Sequence, residues 1–431
     1  MHMTFPPLTK SFWQLLGPSV VFAALSLNGG EMLLWPELIA KYGLLIIWVV
    51  PIILYLQYSV NIEIERYTLA TGKNTLTRLA SISPLMSWLV TGSVIISLLW
   101  PAWISTVGSM VQYLFGINGV NTATLISIAI LGILLLLWNN KNQYIIMEYG
   151  AKIGLSIVLA ISIGVVVYLV GVEQIPLTIG TRLLPDSSDS FGYVAALAFG
   201  GVAGVLNLVQ SDWIASKHYG ATSLKNPETI DYTSPESQQN FDSWFKAVTR
   251  EHFLLFFMGN LIGITLIGLV ASLILPGFNG SGFDILRGQV DYFVVQSDFP
   301  WLGLVWGIGV ILLFLMAQIT ILDAAGKLLK RTDFGFSRRF TDAQLSQLVG
   351  VLGIMILGVG LVLESFSQPG FLLKLSAVMS AAIMAVYPVM LIRINSSLPE
   401  HIRPNLKSRI STISCSIFYG AVVIWMITTL F

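Results

Sequence analysis

An asparagine, two glycines and a glutamate stand together at Asn28-Gly29-Gly30-Glu31, in the middle of an apolar run from about 17 to 40. Where glycines let a helix unwind, backbone carbonyls and amides lose their partners; at membrane depth they must be satisfied by protein groups, an ion or a polar solute. A carboxylate there is costly unless it is paired, protonated or facing water, and such residues mark ion and solute pathways. The stretch therefore reads as a broken helix whose freed groups an ion or a polar substrate would satisfy. Glu31 supplies the charge, and Asn28, Gly29, Gly30 and the carbonyl of Leu25 supply oxygen. The structural alternative is a neutral Glu31 bonded to a freed amide, beside glycines that only let helices pack closely.

A second weak point follows in "AFGGVAGVLNLVQSDW", where Gly200, Gly201 and Gly204 precede Asn207. Interrupted helices in corresponding places, five helices apart, are what a 5+5 inverted repeat predicts, with the binding site between the breaks. Gly201 and Gly204 are both plausible break points. Asn207 either caps the second half-helix or turns its amide to the substrate.

The elements that position these residues are set by composition. Of 431 residues 55% are hydrophobic and 10% charged, against roughly 25% charged in an ordinary soluble domain. Eleven apolar runs approach the length needed to cross the bilayer, at about 17–40, 43–62, 85–114, 121–138, 147–171, 191–213, 251–275, 301–324, 345–363, 370–392 and 411–430. An all-α integral membrane protein with about eleven spans is predicted, since a membrane β-barrel shows short alternating segments instead. The opening MHMTFPPLTKSFW lacks the basic region and small-residue site of a signal peptide, so the first run reads as a retained helix. The single Cys415 can form no internal disulfide and carries no compartment information.

With the N-terminus inside, 19 of the 23 Lys and Arg fall on cytoplasmic segments, which predicts a cytoplasmic N-terminus and an external C-terminus, in the cell (inner) membrane. The net charge of +1 says little about partners, and no dense arginine and aromatic stripe points to nucleic acid, so none is expected as a partner. The expected partners are the transported ion or solute and membrane lipid, with no partner protein evident. The polar segment at about 216–248 is predicted to be a mobile cytoplasmic connection. Without a zinc-type His-Glu-x-x-His, a Gly-x-Ser-x-Gly or a phosphate-cradling glycine loop, neither an enzyme nor a cofactor is predicted.

Several stretches together resemble the Nramp family of divalent metal transporters. "GPSVVFAALSLNGGEMLLWPELIAKYGLLIIW" is similar to that family's first helix, and Arg66 with "TLATGK" to the end of its second. "EYGAKIGLSIVLAISI", "WFKAVTREHFLLFFMGN" and "LLKLSAVMSAAIMAVYP" are similar to its fifth, seventh and tenth. The resemblance covers most of the chain in order and implies the leucine-transporter-like fold. One transporter domain over 1–431 is expected, with repeats at about 17–171 and 191–392 and an appended helix at 411–430.

The chain departs from the family at its core. Asn28 stands where the family has its metal-binding aspartate and Glu31 where it has an asparagine, so the single carboxylate has moved three positions, roughly one helical turn. In the sixth helix Gly204, Val205 and Leu206 replace the family's Met-Pro-His. An all-oxygen site of Glu31, Asn28, freed carbonyls near Leu25 and Gly201, and Gln318 favours a hard divalent ion such as magnesium or manganese. The third run carries no acid, and His2, His218, His252 and His401 lie in tails, loops or helix ends, so a histidine relay is absent and proton coupling is not expected. The other transport class left open is a sodium- or proton-coupled symporter of a small organic solute or anion, with Glu31 as the coupling acid.

The remaining intramembrane polar groups read as structural. Glu63 and Glu65 beside Arg66 suggest a cytoplasmic gate or an ion pair, and Asp323 pairs with Lys327 one turn on. Glu37 reads as a surface or ion-pair residue, and Lys374 extends toward headgroups. Trp100-Pro101 marks a kink, and Trp301 and Trp306 an interfacial belt.

Overall fold

The computed structural model describes residues 3–15, 18–27, 30–138, 143–172, 177, 179–202, 204–295, 299–332 and 339–430. Among these residues the chain is helical, with one isolated bridge between Met3 and Ile230 and no strand. The first run is two helices, α1 (Pro18–Ser26) and α2 (Trp35–Tyr42), with a π-helical turn at Gly30–Leu34 leading into α2. Asn28 and Gly29 lie outside the described residues. After α3 (Val50–Thr71), the third run bends as expected. α4 (Pro84–Ser93) and a π-helical turn lead to Trp100-Pro101, and α5 (Ala102–Leu114) resumes where Pro101 has no N–H to give. α6 (Thr122–Leu136) and α7 (Gln143–Val166) complete the first half.

The second half repeats the pattern. α8 (Ser190–Phe199) ends at Gly200, a 3-10 turn spans Gly204–Val209, and α9 (Gln210–Ser216) follows. α10 (Pro235–His252), a π-helical turn at Phe253–Met258 and α11 (Gly259–Ile274) make one continuous rod. A shorter α12 (Phe283–Val295) precedes α13 (Trp301–Arg331), α14 (Asp342–Gly360), α15 (Pro369–Asn395) and the appended α16 (Leu406–Leu430). Among the described residues nine helices are long and apolar enough to cross a membrane. The divided first run and the shorter apolar α6 fall below that length. The protein is thus an integral multi-pass membrane protein.

The inverted repeat is visible in packing as well as in order. Gly108 of α5 sits against the Ala123 carbonyl and the Ser127 hydroxyl of α6, and Ser127 Oγ donates to Ala123 O at 2.7 Å. Gly326 of α13 meets the Asp342 carbonyl and the Ser346 hydroxyl of α14 in the same way, with Ser346 Oγ donating to Asp342 O at 3.0 Å. A glycine facing residues four apart lets two backbones approach, the usual small-residue contact of membrane helices. α5, α6, α13 and α14 pack together into a four-element scaffold, against which the broken helices lie.

Two expectations need correction. The polar segment at 216–248 is largely structured, with 3-10 turns at Gly220–Ser223 and Pro227–Thr229, and from Pro235 it is already α10. Ser234 caps that helix by accepting the Ser237 N–H, and the N-terminal segment runs along it: Asn240 Nδ2 donates to Phe5 O at 2.9 Å and Trp244 Nε1 to Pro6 O at 3.1 Å. Trp306 is no belt residue: it is 1% exposed and donates to Gln289 Oε1, whereas Trp301 is 60% exposed.

Candidate functional site

The two breaks meet at Glu31. Its Oε1 accepts the backbone N–H of Gly201 at 3.1 Å and the Ser26 hydroxyl at 3.4 Å, so the carboxylate joins the two unwound segments. Its Oε2 is buried with no hydrogen-bond partner among the described residues, and the residue as a whole is 1% exposed. The π-helical turn explains the reach, because its wider loop turns Glu31 out of the α-helical ladder. Gly201 adopts φ 124, a conformation that only glycine takes readily, and this aims its N–H at the carboxylate.

Gln57, which the sequence reading passed over, fixes the other side of the sixth-helix break. From α3 its Oε1 accepts the Val202 N–H at 3.0 Å, while its Nε2 donates to Gly200 O at 3.0 Å and to Tyr419 Oη at 2.7 Å. Three backbone groups freed around Gly201 are therefore held by Glu31 and Gln57 together. The available signal is an amide, one of two with Asn61, inside the second apolar run.

Asn207 lies one turn along. Its Nδ2 donates to the carbonyls of Gly204 at 3.3 Å and Val202 at 3.5 Å, and to the sulfur of Met384 at 3.5 Å, so it ties down carbonyls freed at the break and does not cap α9, whose first turn has no side-chain cap. Met384 of α15 places a thioether at this level, supplied by a different helix from the one the family resemblance pointed to. Gly204 packs against the carbonyl of Ser380, also on α15, and Leu25 is buried in α1. Gly30 opens the π-helical turn. Gln318 is less central than expected: its Oε1 accepts the Ile104 N–H at 3.2 Å, closing the bend before α5.

Charged pairs flank the site on both sides. On the side of the basic loops, Arg331 grips Asp212 Oδ1 through Nε at 3.1 Å and Nη2 at 2.7 Å, and Asn74 Nδ2 donates to Asp212 Oδ2 at 2.8 Å, tying α9 to α13. Asp323 pairs with Lys327 at 2.6 Å, as expected, and accepts from Trp213 Nε1 at 3.5 Å. On the opposite side Lys374 lies 3.7 Å from the buried Glu37 and is not free for headgroups, while Lys41 bridges to Asp189 at 3.1 Å. Removing the Asp212 carboxylate by Asp212→Ala is expected to free α9. The loss is about 1–2 kcal/mol, below that for a fully buried pair because Arg331 is 40% exposed. A lowered thermal midpoint, with Arg331→Ala matching it and the double variant adding nothing, checks this.

Glu63, Glu65 and Arg66 do not act as one group. Both oxygens of Glu63 lie 3.1 Å from Arg66 Nε, Asn395 Nδ2 donates to Glu63 Oε2 at 2.6 Å, and Arg66 Nη1 donates to Ile402 O, so this pair ties α3 to the end of α15. Glu65 points elsewhere: its Oε1 accepts from Gln210 Nε2 at 2.5 Å and lies 3.4 Å from His252 Nδ1. His252, expected at a helix end, is 0% exposed within the continuous α10–α11 rod.

No family model matches the chain, and no curated protein matches it. Solved structures do. A manganese transporter from Eremococcus coleocola, crystallised as a point variant, superposes with a TM-score of 0.64 at 12% identity over 99% of this chain and 97% of that one. Mhp1, a nucleobase-cation-symport-1 family transporter with bromovinylhydantoin bound, gives 0.59 at 12% identity over 96% and 93%. MhsT in complex with L-phenylalanine gives 0.59 at 11% identity over 96% and 98%. At these identities the likeness is one of fold: the chain has the leucine-transporter-like 5+5 architecture that these transporters share.

Proposed function

We propose that this chain is a secondary transporter that moves a divalent metal cation by alternating access, with magnesium or manganese favoured as cargo. The observation that carries the reading is the buried Oε2 of Glu31, without a hydrogen-bond partner among the described residues, between two unwound helix segments. A buried carboxylate is uncompensated until a proton or cation joins it. Glu31 and the carbonyls near Leu25, Gly30, Gly201 and Gly204 would make a hard, oxygen-rich donor set suited to a partly hydrated ion, to which the sequence adds Asn28 and Gly29, outside the described residues. The Met384 sulfur is engaged by Asn207. That a manganese transporter shares the fold supports the same reading.

In this reading residues 1–431 form one transport domain in the cell's inner membrane, with the N-terminus cytoplasmic and the C-terminus external, because the basic residues gather on one side. Asp212–Arg331 and Asp323–Lys327 then close the cytoplasmic side, and Lys41–Asp189 and Lys374–Glu37 close the outer one. A second reading, a coupled symporter of a small organic solute or anion, is favoured by one fact. Among the described residues no three His, Cys, Asp or Glu side chains gather to hold a metal.

Calorimetric titration of the purified protein separates the two. Saturable binding of manganese, competed by magnesium, is expected. Binding of an amino acid or hydantoin with no response to any divalent ion would move the assignment to the second reading.

A further inference from the structure

A second buried polar cluster lies where four helices meet on the side of the basic loops. Ser19 comes from α1, Asn61 and Glu65 from α3, Gln210 from α9, and Glu251 and His252 from α10, and none of the six is more than 2% exposed. Asn61 and Glu65 are four residues apart and share a face of α3. His252 is its centre: Asn61 Nδ2 lies 3.1 Å from Nε2, while Ser19 Oγ lies 2.9 Å and Gln210 Nε2 3.5 Å from Nδ1. Ser19 Oγ also donates to Glu251 Oε2. The imidazole stacks on Phe256, with centroids 4.8 Å apart, and on Tyr58 at 5.9 Å.

The cluster is short of donors. Among the described residues the buried atoms Glu65 Oε2, Gln210 Oε1 and Asn61 Oδ1 have no hydrogen-bond partner, and all three are acceptors. A proton on Glu65 adds the missing donor and neutralises buried negative charge. The titratable groups facing His252 are Glu65 and Tyr58 of α3 and its neighbour Glu251. α1 presents Ser19 and Phe22, α9 presents Gln210, and the π-helical turn presents Phe256. Imidazole is a poor ligand for hard monovalent cations, which leaves a proton as the ion that Glu65 takes up beside it.

We propose that Glu65 and His252 form a proton-carrying site whose occupancy sets whether the half-helices α1 and α9 stay docked against α3 and α10. The inference rests on the transport reading above and adds to it a coupling ion and a location remote from Glu31. The proton's exit is balanced in place. His252 stays neutral, donating Nδ1–H to Ser19 Oγ, which donates to Glu251 Oε2, and accepting from Asn61 Nδ2 at Nε2; the carried proton sits on the Glu65 carboxyl, whose O–H bond breaks to leave the carboxylate. Once that proton leaves to water, Glu65 and Glu251 are both charged in the joint between the half-helices, and the joint opens.

The test uses the full chain in two ways. In proteoliposomes with a manganese-sensitive dye, a one-unit inward pH gradient is expected to raise manganese accumulation by up to about tenfold per coupled proton and to acidify the lumen. Glu65→Gln is expected to lose that response while keeping manganese exchange, and Ser19→Ala to slow it. In detergent, infrared titration of the wild type is expected to show a carboxyl C=O band that disappears in Glu65→Gln. If wild-type manganese uptake ignores the pH gradient, or a sodium gradient replaces it, the proton site is overturned and the transport reading stands. If no divalent ion is taken up, the transport reading falls, and the infrared band alone judges the site. Its presence in wild type and absence in Glu65→Gln supports the proposal, as does its shift in His252→Gln should the first variant not fold; the lack of any titrating band overturns it.

Discussion

Glu31→Gln is expected to reduce divalent-cation affinity by at least about 100-fold, since removing one member of a buried charge pair costs about 3–5 kcal/mol. The substitution keeps the shape and the hydrogen bonds that Oε1 accepts from Gly201 and Ser26, so the fold is expected to survive. Only the charge at the unpartnered Oε2 is lost. Unchanged thermal stability with abolished binding marks a ligand. Lowered stability with binding retained marks the structural alternative, a neutral glutamate tying two breaks together.

Gly201→Ala is expected to damage the site through the backbone. At φ 124 an alanine is strained by about 1–3 kcal/mol, and its Cβ would stand 2.6 Å from Gln57 Oε1. Either Gln57 leaves the Val202 N–H or the Gly201 N–H turns away from Glu31, and both outcomes scatter the freed backbone groups. Lower thermal stability and lost transport are expected. Gly164→Ala in α7 is the control, because an added Cβ there meets nothing within 4 Å. Equal behaviour of the two variants would remove the break from the account.

Much of this arrangement was legible before any coordinates. Hydropathy located the spans, the paired glycines located both breaks, and Glu31 was singled out as the charge between them. Other parts were hidden for physical reasons. Hydropathy marks where lipid begins, not where a helix begins, so the polar α10 read as a connection and His252 as a helix end. In the structure α10 continues through a π-helical turn into α11, which buries His252 midway along a rod. Gln57 was invisible because one amide hardly alters an apolar average, yet it holds three groups at the break and at Tyr419. Glu63 and Glu65 look equivalent as neighbours of Arg66, but a helix sends residues two apart to different faces. One therefore meets Arg66 and the other His252.

The most direct test of the central claim is uptake into proteoliposomes loaded with a divalent-sensitive dye, comparing magnesium, manganese and calcium for wild type and Glu31→Gln. The account predicts saturable uptake of magnesium or manganese, mutual inhibition between them, and loss of uptake in the variant. Well-folded wild-type protein that takes up no divalent ion, or a variant that transports as well as wild type, would contradict it.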